Sequence, residues 1–254
     1  MTYDFTGKVA IITGGGRGLG AEIATAFAKS GASVVITGRT EAPLAALCEK
    51  LQQEEFADIH YLVADGSNQV RVQEVVDWTA EQYGKIDFLI NNAQAEVHGI
   101  PLEQQTCKNF DLAFHTGVYA TFFYMRACFP HLKKSRGSIV NMGSGAGIAG
   151  MNGFASYAAN KEAIRGLTRV AATEWSQYGI NSNVICPSVS TPALRDWAAQ
   201  HPEEYEAVVA NTAMRDFADG ELHVGGTCLF LCSPEAKFIT GRTFDVDGGQ
   251  NLRP

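Results

Sequence analysis

The sequence lacks paired cysteines. Its six cysteines (Cys48, Cys107, Cys128, Cys186, Cys228 and Cys232) form no Cys-x-x-Cys motif and gather no histidine cluster. This argues against a disulfide framework and predicts no metal site. They read as reduced thiols of a cytoplasmic protein, with Cys228 and Cys232, at helical spacing in an apolar segment, as core packing. Positive charge is short as well: 20 Lys and Arg stand against 27 Asp and Glu, a net charge of −7. Nucleic acid and anionic membranes reward a basic surface, so neither is expected as a partner. No membrane span is visible, because Gly, Ser and Asn interrupt the uncharged stretch 137–160, and the apolar run Leu112–Met125 is too short and ends at Arg126. The first residues, MTYDFTGK, offer neither a basic nor an apolar leader region, so no signal peptide is expected. What is present is a composition 46% hydrophobic and 19% charged over 254 residues, enough for one core and read as a single domain over 1–254.

Short β-branched runs alternate with helical patterns along the whole chain. Strands are predicted at Lys8–Thr13, Ser33–Thr37, Asp58–Val63, Phe88–Asn91, Ser138–Met142, Asn181–Ile185 and Thr243–Val246. Helices are predicted over Leu19–Ser30, Leu44–Glu54, Gln69–Tyr83, Leu102–Thr116, Val118–Lys134, Phe154–Tyr178 and Leu222–Cys232. Such alternation requires right-handed crossovers and builds a parallel sheet covered on both faces, a doubly wound α/β fold. Ligands in such folds lie beyond the carboxyl ends of the strands. The residues just after each strand are therefore the ones to weigh.

The first strand runs into Thr13-Gly14-Gly15-Gly16-Arg17-Gly18-Leu19-Gly20. Glycines let backbone approach a pyrophosphate, and a helix opening at Leu19 offers free N–H groups and a positive dipole end. Placed between the first strand and first helix, the cluster predicts dinucleotide binding. The second strand ends without the carboxylate that NAD-preferring proteins place there. Arg39 follows it instead, and Arg17 sits in the glycine turn, so both are expected to pair with a 2′-phosphate; the bland alternative is two solvated surface charges. The expected cofactor is NADP(H).

At Tyr157-Ala-Ala-Asn-Lys161 the chain resembles the short-chain dehydrogenase/reductase family in its form of about 250 residues, and the resemblance covers essentially the whole sequence. It rests on Thr13, Gly14, Gly18 and Gly20, on Asp65 after the third strand, and on Asn91-Asn92-Ala93 after the fourth. Ser144 upstream of Tyr157, and Pro187 with Thr191 after the sixth strand, complete it. The resemblance implies about seven strands in the order 3-2-1-4-5-6-7. It implies hydride transfer between NADP(H) and a ketone or secondary alcohol, with Tyr157 as general acid/base. Ser144 would hydrogen-bond the reacting oxygen, and Lys161 would hold the nicotinamide ribose and tune Tyr157. Cofactor contacts are expected from Gly14, Gly16, Arg17, Gly18, Leu19, Gly20, Arg39, Asp65, Asn92, Ala93, Tyr157, Lys161, Pro187 and Thr191. Tyr157 and Lys161 share a helix face. A tyrosine ordinarily titrates near pKa ~10, and a neighbouring ammonium is expected to lower that value.

Three departures stand out. Counting back from a helix end at Pro130, the Asn that usually completes a catalytic tetrad falls on Gly117. Gln94 stands where the family usually has Gly, either lining the substrate site or filling space, and Ser188 replaces the Gly after Pro187. The segment 188–219 is where the family places a substrate lid. Its Leu194, Trp197, Tyr205, Val208, Met214 and Phe217 suit an apolar cover, although an ordinary amphipathic helix would carry the same pattern. Gln94, His98, Ser144, Ser188 and Trp197 are the expected substrate contacts, with a solvent-exposed loop histidine as the alternative for His98. The substrate is expected to be a small or medium, fairly apolar ketone or secondary alcohol. The resemblance also implies a homotetramer or dimer, and Tyr119, Phe122, Phe123 and Tyr124 fit a buried helix pair. The competing reading is a non-catalytic or weakly active NADP(H)-binding sensor or partner subunit, suggested by Gly117.

Overall fold

The computed structural model describes residues 3–54, 58–190, 192–210 and 212–252, the side chains of 192, 193, 197 and 208 apart. Strands β1 (Val9–Thr13), β2 (Ser33–Gly38), β3 (Ile59–Val63), β4 (Phe88–Asn91), β5 (Ser138–Met142), β6 (Asn181–Pro187) and β7 (Thr243–Val246) form one sheet. It has seven strands in the order β3-β2-β1-β4-β5-β6-β7. Every neighbouring pair is parallel. Both the class and the order expected from the sequence hold.

Alternation within each strand decides which face a residue joins. Ala10 and Ile12 of β1 pack with Ile23 and Phe27 of α1 (Gly18–Lys29) and with Leu44 and Leu51 of α2 (Glu41–Gln53). Ile11 joins the opposite core, against Val72 and Val76 of α3 (Gln69–Tyr83). That face is completed by α5 (Ala120–Ser135) and α7 (Ala155–Trp175), with α4 (Cys107–Phe114) packed on α7 and the short α6 (Gly145–Ala149) preceding it. Asn68 caps α3 by accepting from the Val70 and Arg71 N–H groups, and Gly84 ends it in the left-handed conformation, which is why this helix was legible to the residue.

Three expectations need correction. The helix does not end at Pro130 but runs through it to Ser135. Pro130 is exposed, so the carbonyl it leaves unpaired can face water. The two helices expected around Gly117 are one continuous rod, joined by a π-helical turn over His115–Tyr119 rather than a break. Finally, the lid segment after β6 holds two short helices, α8 (Pro192–Gln200) and α9 (Pro202–Ala210), where one amphipathic helix was the alternative. Its two ends are stitched together by Ser190 N–H donating to the Ala218 carbonyl and Ala218 N–H to that of Ser188. A second π turn, Gly220–Gly225, leads into α10 (Gly226–Cys232), whose Cys228 and Cys232 are buried core residues.

Candidate active site

The carboxyl ends of β1, β2, β3 and β4 open onto a cleft. Gly14, Gly16, Arg17, Leu19, Gly20, Arg39, Asp65, Asn92 and Ala93 all line it. Backbone proximity explains the glycines. Gly14 adopts φ +67°, and a Cβ there would sit 2.9 Å from Ala93 Cα; a Cβ on Gly20 would sit 2.8 Å from the Gly14 carbonyl carbon. Thr13 closes the same corner: its hydroxyl oxygen accepts from the Asn92 and Ala93 N–H groups, each at 3.0 Å, while Asn92 Nδ2 donates to the Thr13 carbonyl. The N-terminus of α1 has no side-chain cap and no acidic residue in its first turn, so its N–H groups face the cleft unneutralised. Gln94 also lines the cleft, with both amide atoms buried and no partner among the described residues. A cradle that Cβ atoms would fill and an anion-attracting helix end together fit a dinucleotide.

Asp65 spends one carboxylate oxygen on the Ser67 N–H and hydroxyl, at 2.9 and 2.7 Å, which fixes the turn after β3. Arg17 and Arg39 are exposed on the cleft rim with no ion pair among the described residues. Gly18, at φ +54°, faces open space.

Beyond β5, β6 and β7 lies a second cleft, lined by Ser144, Pro187, Ser188, Asp247, Gln250 and Asn251. Ser144 caps α6, its hydroxyl accepting from the Ala146 N–H at 3.1 Å, and it lies near enough to the Tyr157 phenol to act on its proton. Lys161 Nζ lies 5.5 Å from the centre of the Tyr157 ring and donates to the Met142 carbonyl at 2.8 Å. The fold thus gathers Ser144, Tyr157 and Lys161 from β5 and α7. His98 is stacked flat on Phe154, ring centres 5.4 Å apart, and Phe154 meets Tyr157 edge-on at 6.0 Å. In the lid segment Tyr205 packs on Phe217 at 5.8 Å, but Met214 is 78% exposed. Thr191 and the side chains of Trp197 and Val208 lie outside the described residues.

The electrostatics differ from the expectation that Lys161 lowers the Tyr157 pKa. Burial, then the nearby Glu96 carboxylate, push the Tyr157 phenol up to about 12, with the Ser144 hydroxyl opposing. Burial lowers Lys161 from the usual 10.5 to about 8, with Glu96 opposing. Desolvation outweighs the mutual effect because the ammonium bonds a carbonyl rather than the phenol. Glu96 was not singled out in the sequence; only its position two residues after Gln94 marked it. Its own carboxyl is raised by burial and sits 4.0 Å from His98.

A stability measurement follows from Lys161. Below pH 8 the folded and unfolded chains both carry the ammonium, and the folded state bears its full desolvation cost. Between pH 8 and about 10.5 the folded state releases the proton first, so stability rises with pH. In ligand-free thermal unfolding, wild type should therefore gain on Lys161→Met by a few degrees (~2–4 °C per kcal/mol) between pH 7.5 and 10. A pH-independent difference would show that Lys161 is not held under a desolvation load.

Residues 14–251 match the family model described as enoyl-(acyl carrier protein) reductase. A 12α-hydroxysteroid dehydrogenase from a Clostridium species is 46% identical over 256 residues, spanning 98% of this chain and 99% of its own. An A-factor type γ-butyrolactone 1′-reductase from Streptomyces virginiae is 33% identical, spanning 96% and 95%. A solved structure described as a short-chain alcohol dehydrogenase from Sinorhizobium meliloti aligns with a TM-score of 0.90 at 30% identity over 98% of both chains. With the glycine cradle, the sheet order and the Ser144–Tyr157–Lys161 cluster, these relationships make the chain a member of the short-chain dehydrogenase/reductase family, oxidoreductases that work with a nicotinamide cofactor.

Proposed function

We propose that this protein is an NADP(H)-dependent dehydrogenase/reductase acting on a fairly apolar ketone or secondary alcohol. The observation that carries the reading is the gathering of Ser144, Tyr157 and Lys161, with the Lys161 ammonium 5.5 Å from the Tyr157 ring, at the carboxyl end of the sheet that also bears the glycine cradle. A bound nicotinamide supplies the hydride acceptor or donor and, when oxidised, a positive charge. Ser144 holds the reacting oxygen, Tyr157 gives or takes its proton, and Lys161 holds the ribose. Gly14, Gly16, Leu19 and Gly20 let the backbone approach the pyrophosphate; Asp65, Asn92 and Ala93 border the nucleotide; Arg17 and Arg39 meet the 2′-phosphate.

Two of the relatives' names fit a secondary alcohol, while others are named for L-fucose, a polar sugar. The 46%-identical one is named for a hydroxysteroid, a fused apolar ring system bearing a secondary alcohol, and another for meso-2,3-butanediol. Gln94, His98 and Ser188 are the substrate-side contacts in this reading, with Trp197 from the lid. Among the described residues no helix is long and apolar enough to cross a membrane, and we place the protein in the cytoplasm. We further propose a homotetramer or dimer: Tyr124 is core, but Tyr119 and Phe122 are 46% and 38% exposed on the outer face of α4–α5 and would be covered by a second copy.

The test is a panel of ketones, including a 12-oxo steroid, assayed with NADPH and with NADH. Reduction dependent on NADPH is the expected result. Tight NADPH binding with no reduction across the panel would favour the non-catalytic alternative.

A further inference from the structure

The π turn His115–Tyr119 carries Gly117, which is buried against α7. The space a side chain at 117 would occupy is already filled. A Cβ there would lie 2.6 Å from Asn160 Cγ and closer still to both polar atoms of that amide. Asn160 is wholly buried, and its Oδ1 accepts from the Val118 N–H at 2.7 Å. Its Nδ2 has no partner among the described residues, an arrangement that is costly in a packed interior unless the donor serves the site. Asn160 precedes Lys161 and lies one turn of α7 from Tyr157, so it is the tie between the helix carrying both groups and the turn facing them. That turn is fastened on its other side by Thr116, whose hydroxyl bonds the Ala95 main chain in the loop holding Gln94 and Glu96.

Resting on the dehydrogenase reading above, we propose that Asn160 is a positioning residue: it supplies from α7 the amide that Gly117 lacks, and so fixes Tyr157 and Lys161 against the π turn. Glycine at 117 is then a requirement of this site, since it makes room for Asn160, and is no mark of decayed chemistry. The prediction is reciprocal. Gly117→Asn alone must evict the Asn160 amide from Val118; Asn160→Ser alone leaves a hole and an unpaired buried N–H. Gly117→Asn with Asn160→Ser moves the amide from one helix to the other.

The experiment is a double-mutant cycle in the full-length protein, read by thermal unfolding, by NADPH titration and by the pH profile of turnover. Each single variant should unfold at lower temperature and lose about 10-fold or more in kcat with KM changed far less, while the double variant recovers most of both. Asn160→Ser should also shift the pH midpoint of kcat and weaken NADPH binding through Lys161, and the double variant should restore both, which a merely structural contact would not do. Additive losses, or Asn160→Ser with wild-type kcat and pH profile, would overturn the proposal. The unfolding and NADPH arms read the pairing even if the wild type reduces no ketone, so its failure is separable from failure of the dehydrogenase reading.

Discussion

Tyr157→Phe is expected to reduce turnover by about 10²–10⁴-fold, the range that a positioned acid/base contributes, while NADPH affinity stays within a few-fold of wild type. The substitution removes one oxygen and little else. The ring keeps its edge-on contact with Phe154, and Lys161 keeps its bond to the Met142 carbonyl. Ser144 loses the phenol but still caps α6 through Ala146, so the loop after β5 holds its shape. Initial rates with the best ketone of the panel, beside a fluorescence titration with NADPH, separate chemistry from binding. A Tyr157→Phe enzyme with undiminished kcat would end the assignment of Tyr157 as acid/base.

The second large effect concerns cofactor choice. Arg39 directly follows β2, and Arg17 precedes α1; both line the same cleft from independent elements. Neither is engaged by a carboxylate among the described residues, so a 2′-phosphate would meet no competing partner. A charge-assisted hydrogen bond contributes about 1.5–3 kcal/mol, so each Arg→Ser variant should weaken NADPH binding roughly 10- to 150-fold. NADH affinity should barely change. Because both arginines are exposed, the discrimination should also shrink as salt is raised. Equal NADPH and NADH affinities in the wild type would mean that the two arginines are surface charges, and would direct assays to NAD and alcohols.

Much of the fold was legible because its causes are local. The bounds of α3, β4, β5 and β7 match their sequence patterns, since β-branched runs, an Asn cap and a terminating Gly act on their own neighbours. The glycine turn was legible for the same reason: its backbone demands are set within one strand–helix junction. The apolar pattern carried the helix past Pro130 to Lys134, although the count that placed Gly117 took Pro130 as its end; an exposed proline is tolerated there because water takes the carbonyl it frees.

The sequence by itself determined the doubly wound class, the position of the cradle after β1, and the presence of Ser144, Tyr157 and Lys161 in the right order. Tertiary structure alone decided how those groups behave. Burial raises Tyr157 and lowers Lys161, Glu96 enters the site from the loop after β4, and Asn160 takes the room left by Gly117. Hydrophobic period and turn chemistry are written in consecutive residues. Desolvation and steric exchange arise between side chains such as Asn160 and its bonded partner Val118, 42 residues apart, and exist only once the helices have packed.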